Sequence, residues 1–164
     1  MEAILQSLDQ LIEVHRLLLE LSRHKREAIV HNDVERLMQM TQKENKWTKR
    51  VEQLDTERSE AVLAYMRSRN MYVTGAITVS TLSKIVTKLE EKEALVERQQ
   101  ELVRLIGEIK QENELNMQLV EQSLAYINYS IDVFVGSDNQ DVVYQHPQQE
   151  QHTYQARSMF DQKA

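Results

Sequence analysis

The chain has 164 residues with a formal charge of −6; 28% are charged and 41% hydrophobic, with three Gly, one Pro and no Cys. Such a length suits one domain, and the lack of Cys excludes disulfide and thiol chemistry while permitting a reducing compartment. Acidic and basic residues interleave without a basic patch, which argues against nucleic acid as a partner. With so few breakers among Leu, Glu, Gln, Lys, Met and Arg, the composition predicts an all-α chain of long helices. No apolar run approaches the ~20 residues of a transmembrane span. The opening MEAILQSLDQ is acidic and amphipathic where a signal peptide would be basic and then uniformly apolar. A cytoplasmic protein without membrane insertion is expected.

The first helical pattern covers about 2–30, with Ile4, Leu5, Leu8, Leu11, Ile12, Leu18 and Leu19 on one broad stripe. His15 interrupts the stripe and has no second His one turn away, so it reads as a helical residue and not a metal ligand. At His31–Asp33, Asn32 is the expected N-cap, with Glu35 completing a capping box. A turn this short sends the second helix, about 33–67, back antiparallel to the first. Its seam reads Leu37, Met40, Glu44, Trp47, Val51, Leu54, Arg58, Ala61 and Tyr65, alternating three and four residues. Glu44 and Arg58 cost stability there unless they reach solvent or a partner. Trp47 is assigned to packing.

The stretch 68–78 has a Gly, β-branched residues and no helical period, and reads as a loop. A short helix over about 79–88 follows, capped by Thr78, with Val79, Leu82, Ile85, Val86 and Leu89 to cover one end of the bundle. The long helix, about 90–135, carries Leu102, Ile106, Ile109, Val120, Ile127, Ile131 and Phe134 in one row, with Asn113 and Asn116 filling the gaps. A second row holds Leu95, Leu105, Leu115, Leu119 and Leu124. From Leu95 to Phe134 the pattern spans on the order of 60 Å, too long to bury in a ball. The expected architecture is therefore an elongated antiparallel three-helix coiled-coil bundle with an additional short helix, over residues 1–136. Asn113 and Asn116 are expected to set its register.

Residues 137–164 differ in kind, with seven Gln and the only Pro. They read as a flexible tail, disordered or ordered by a partner. Val142, Val143, Tyr144, Met159 and Phe160 form two apolar islands there and are candidate partner-binding anchors. Before the tail, Tyr126, Ile127, Tyr129, Ile131, Val133 and Phe134 point nearly all round the helix. A helix apolar all round is buried against something, either helices 1 and 3 or another chain. These six are the main candidate partner-binding residues.

Nothing in the sequence carries catalysis. It has no Gly-rich phosphate loop, Cys nucleophile, G-x-S-x-G or HExxH motif, and its five His lack chelating spacing. No enzyme, cofactor or metal is expected. Two readings of the helices remain, a chaperone for a helical partner or a self-associating structural coiled coil.

Three stretches carry a family resemblance. LLLELSRHKREAIVHNDVERLMQMTQKENKW resembles a Leu-rich helix, a basic turn and an Asp-led second helix; TLSKIV resembles the short helix after the loop. In LVRLIGEIKQENELNMQLVEQSLAYINYSID, the Asn113 and Asn116 pair before Leu119 and Ser123–Leu124 is the most telling part. Together they resemble the FlgN-type flagellar export chaperones over about residues 1–136. The resemblance implies a cytoplasmic chaperone of flagellar type III secretion, monomer or weak homodimer. It would bind C-terminal helical segments of hook–filament junction proteins, hold them unassembled and deliver them to export-apparatus components. It also implies cargo binding by the C-terminal part.

Overall fold

The computed structural model describes residues 1–71 and 77–138, with side chains through residue 135. Four helices follow in order: α1 (Glu2–Val30), α2 (Val34–Ser68), α3 (Val79–Ile85) and α4 (Leu89–Asp138). No strand occurs among the described residues, so the fold is the all-α bundle expected. Two compact units are present, Met1–Tyr126 and Ile127–Ala164. All of the packing below lies within the first.

The α1–α2 turn works differently from the sequence expectation. Asn32, the expected cap, takes a positive φ of 54°. Its N–H donates to the Ile29 carbonyl, and the next N–H, from Asp33, donates to the Ala28 carbonyl at 2.9 Å. This pair of bonds is a Schellman stop, and Asn tolerates the left-handed conformation it requires. Asp33 then caps α2 itself, its Oδ1 accepting from the Arg36 N–H at 2.9 Å. The same device ends α2: Asn70 has φ 57°, and the Met71 N–H returns to the Met66 carbonyl.

Such a tight turn makes α1 and α2 antiparallel, and Lys25 pairs with Glu44 across them at 2.7 Å. By contrast, α1 and α4 run parallel. Asp9 pairs with Arg98, Arg16 with Glu101, and Arg26 with Glu112, so partner numbers rise together. Eleven residues of α1 are buried against three of α2, which makes α1 the helix the other two share. The main core gathers Ile4, Leu8, Leu11 and Val14 with Leu54, Val62 and Met66 of α2, and with Leu95 of α4. Trp47 packs against this cluster. Leu82 of α3, fully buried, closes it, and Thr78 caps that helix by accepting from the Thr81 N–H. The chain leaves helix over the three residues Val86–Lys88, and α4 begins at Leu89.

A correction concerns the face of α4. The packed positions are Leu95, Arg98, Leu102, Leu105, Ile109, Glu112, Asn116, Leu119 and Ser123, an unbroken alternation of three and four. Ile106, expected in the seam, is 51% exposed, and Val120 and Leu124 also lie off it. Polar side chains occupy packed positions because α1 offers them partners: Arg98 meets Asp9, and Glu112 meets Arg26. An apolar pattern cannot register such positions.

Gly107 stands mid-helix in α4, and a Cβ added there meets nothing within 4 Å. Gly107→Ala should therefore stabilise the protein by about 0.5–1 kcal/mol, read from urea unfolding, because it removes only the helical entropy penalty of Gly.

Candidate partner-binding surface

The register of α4 against α1 centres on Ser22, which is 2% exposed. Its Oγ donates to Asn113 Oδ1 at 2.7 Å, while Asn116 Nδ2 donates to the Ser22 carbonyl at 2.8 Å. Asn116 is buried and Asn113 sits at the surface beside it. Both Asn residues singled out in the sequence thus meet the same serine of α1.

Charged pairs flank this point. Glu101 accepts from Arg104 of its own helix and from Arg16 of α1. Those two guanidiniums, Arg104 foremost, hold its carboxyl down to about 2, against partial desolvation that pushes the other way. A carboxylate held fully ionised is unsuited to general acid–base work, which needs a pKa raised toward neutrality. The groove of about 680 Å³ around it, between α1 and α4, is lined mostly by charged residues, several of them paired, as Asp9 is with Arg98 and Arg16 with Glu101. No group of His, Asp and Glu able to hold a metal occurs among the described residues.

Toward the end of α4 the character changes. Tyr126, the last residue of the first unit, is exposed. In the second unit Ile127, Tyr129, Ile131, Val133 and Phe134 are all exposed too, as is Val135, which the sequence reading did not single out. Ile127, Ile131 and Val135 fall four apart and share one face, and Tyr129 and Val133 share the opposite one. Val142, Val143, Tyr144, Met159 and Phe160 lie outside the described residues.

A second apolar surface escaped the sequence reading. Between α1, α2 and α4 lies a groove of about 430 Å³, with Ile29, Leu37, Met117 and Val120 among its lining residues. Its signal was present but faint. No residue of α2 before Leu54 is fully buried, and Met117 and Val120 sit one step off the packed face.

Large apolar side chains exposed along a helix, with no metal-binding cluster among the described residues, are the kind of surface by which helical proteins bind other proteins. Comparison with known sequences gives that class a name. The FlgN protein family matches residues 1–152. YvyG, an uncharacterized protein of Bacillus subtilis (strain 168), is 29% identical over 140 residues, covering 84% of this chain and 82% of YvyG. No solved structure matches. The chain belongs to the FlgN family, and it is a flagellar export chaperone in the general sense of that family.

The Glu101 contacts set a pH dependence. Because its folded pKa lies at about 2, below the ordinary 4.5, its pairing contributes stability above about pH 4.5 that is lost as pH falls through 2. Melting temperatures measured across that interval should fall more steeply for the natural chain than for Glu101→Gln. Parallel curves would remove Glu101 from the contacts joining α1 to α4.

Proposed function

We propose that the cargo is a hook–filament junction protein, bound in the cytoplasm through its C-terminal helical segment. The exposed face at the end of α4 would be the site. One observation supports this most: Ile127, Ile131 and Val135 present a row of large apolar side chains to solvent. Each is already about half covered, so burying the rest against a partner would contribute about 1–1.5 kcal/mol. An amphipathic cargo helix has the matching stripe, the one by which such subunits would otherwise assemble. Covering it on the chaperone keeps the cargo soluble and unassembled until export. The cytoplasmic assignment rests on the family and is compatible with the helices, none of which among the described residues is long and apolar enough to cross a membrane.

Affinity comes from many partly exposed contacts and not from one enclosed pocket, which suits a partner that must be released. The tail islands, from Val142 to Tyr144 and at Met159–Phe160, belong to the same proposal as additional anchors.

Calorimetry with a junction protein's C-terminal helical segment tests the site. The double substitution Ile127→Asp with Ile131→Asp should weaken binding by about tenfold or more while the circular dichroism stays helical, since both side chains are already exposed. Unchanged affinity would move the site elsewhere. Light scattering on the same variant covers self-association: a stable oligomer that the substitutions dissociate, with cargo affinity intact, would replace the cargo reading.

A further inference from the structure

We propose that α4 pairs with α4 of a second copy of this chain, antiparallel, about a two-fold axis midway between Lys110 and Asn113. The residues involved lie within the first unit and differ from those of the cargo site, so this inference stands apart from it.

The bundle leaves a second row on α4 open to solvent. Val103, Ile106, Met117 and Val120 are all exposed. Each stands one residue after a position of the packed face, Leu102, Leu105, Asn116 or Leu119. The row therefore lies about 100° further round the helix, beside the face that α1 covers.

Symmetry identifies the occupant. With Lys110 and Asn113 between the two apolar pairs, the spacing along the row is three, four, three, four and three. That is coiled-coil spacing, and it reads the same from either end: apolar, apolar, polar, polar, apolar, apolar. A two-fold contact requires this, because residue i meets j and j meets i, whereas an unrelated helix needs no such match. In the antiparallel pair Val103 meets Val120 of the second copy, Ile106 meets its Met117, and Lys110 meets its Asn113. Met117 and Val120 also line the groove between α1, α2 and α4, so Ile106 and Val103 of the second copy lie along its mouth.

Charge fixes the orientation and the register. The Lys110 ammonium reaches the amide of Asn113 and the carboxylate of Glu114 on the second copy, both exposed residues. Within one chain Lys110 and Glu114 are held only loosely, at 3.9 Å, and their side chains stay 77% and 56% exposed. A parallel pair would set Lys110 against its own counterpart, charge against like charge. Sliding the antiparallel pair by one heptad would set Lys110 against Ile106 or Val120. A single polar layer thus selects one arrangement, at some cost in affinity. The paired row is only about 25 Å long, so the dimer belongs with small, readily dissociating interfaces.

Sedimentation equilibrium of the full chain should show a monomer–dimer equilibrium with a Kd on the order of micromolar. Met117→Asp, at an exposed position, should weaken it by about tenfold or more while the circular dichroism stays helical. Lys110→Glu should weaken it by a similar factor, and adding Glu114→Lys should restore it. Because the chain has no Cys, cross-linking reads the orientation directly. Val103→Cys mixed with Val120→Cys should form a disulfide between copies. Neither variant alone should do so, since its two thiols lie about 25 Å apart in the antiparallel pair. A chain still monomeric at about 100 μM would overturn the proposal, as would a disulfide formed by either variant alone or no disulfide in the mixture. Indifference to Met117→Asp or Lys110→Glu would do the same. Ile127→Asp with Ile131→Asp lies outside the paired row and should leave the dimer intact; dissociation by that variant alone would move the interface to the end of α4. Since Ile127 and Ile131 remain intact in the other variants, a failure there leaves the cargo site untouched.

Discussion

We propose that Ser22 meeting Asn113 and Asn116 is the contact on which the arrangement of the helices turns. Apolar seams are tolerant of slippage: a Leu row shifted by one heptad still finds Leu. Three hydrogen bonds from a buried serine to one buried and one surface asparagine are not tolerant, since a shift would leave Ser22 and Asn116 buried and unpaired at about 1–3 kcal/mol apiece. We assign the two Asn the register-setting role on that ground. The ion pairs from Asp9–Arg98 to Arg26–Glu112 then fall into line on either side. Each keeps one partner open to solvent, so they contribute less to stability than to the direction and phase of the match.

Fixing the register also fixes where α1 runs out. Ser22 lies eight residues before Val30, the end of α1, so α1 stops level with about eight residues beyond Asn113 and Asn116, near 121–124 of α4. The packed face of α4 ends in the same place, at Ser123. Beyond it every described large apolar side chain is exposed. Within the first unit the long helix is packed as far as Ser123, and in the second its described large apolar side chains are exposed. That is the physical form a helix-binding chaperone needs, because surface for a partner has to be withheld from the protein's own core.

Much of this was legible in the sequence, and what was not has a common cause. The α2 seam from Leu37 to Tyr65 reads directly from three-four spacing because nearly every position in it is apolar, and the bounds of α1 follow from the same signal. In α4 the spacing is just as regular, yet four of the packed positions are Arg98, Glu112, Asn116 and Ser123. Their burial depends on what α1 places opposite, which no local pattern contains. The apolar residues just off that face, such as Ile106 and Val120, were easily mistaken for it. The cap at Asp33 was misplaced by one residue for a related reason: Asn32 suits either an N-cap or a left-handed stop, and the neighbouring Asp decides between them. The groove was hidden because it is a property of three helices together.

Amide hydrogen exchange, followed by mass spectrometry on the full chain with and without a junction protein's C-terminal helical segment, tests the central claim most directly. The account predicts that cargo slows exchange over Ile127–Val135, where exposed apolar side chains await a partner, and leaves the packed stretch Leu95–Ile109 unchanged. Binding that leaves exchange over Ile127–Val135 unaltered would contradict it.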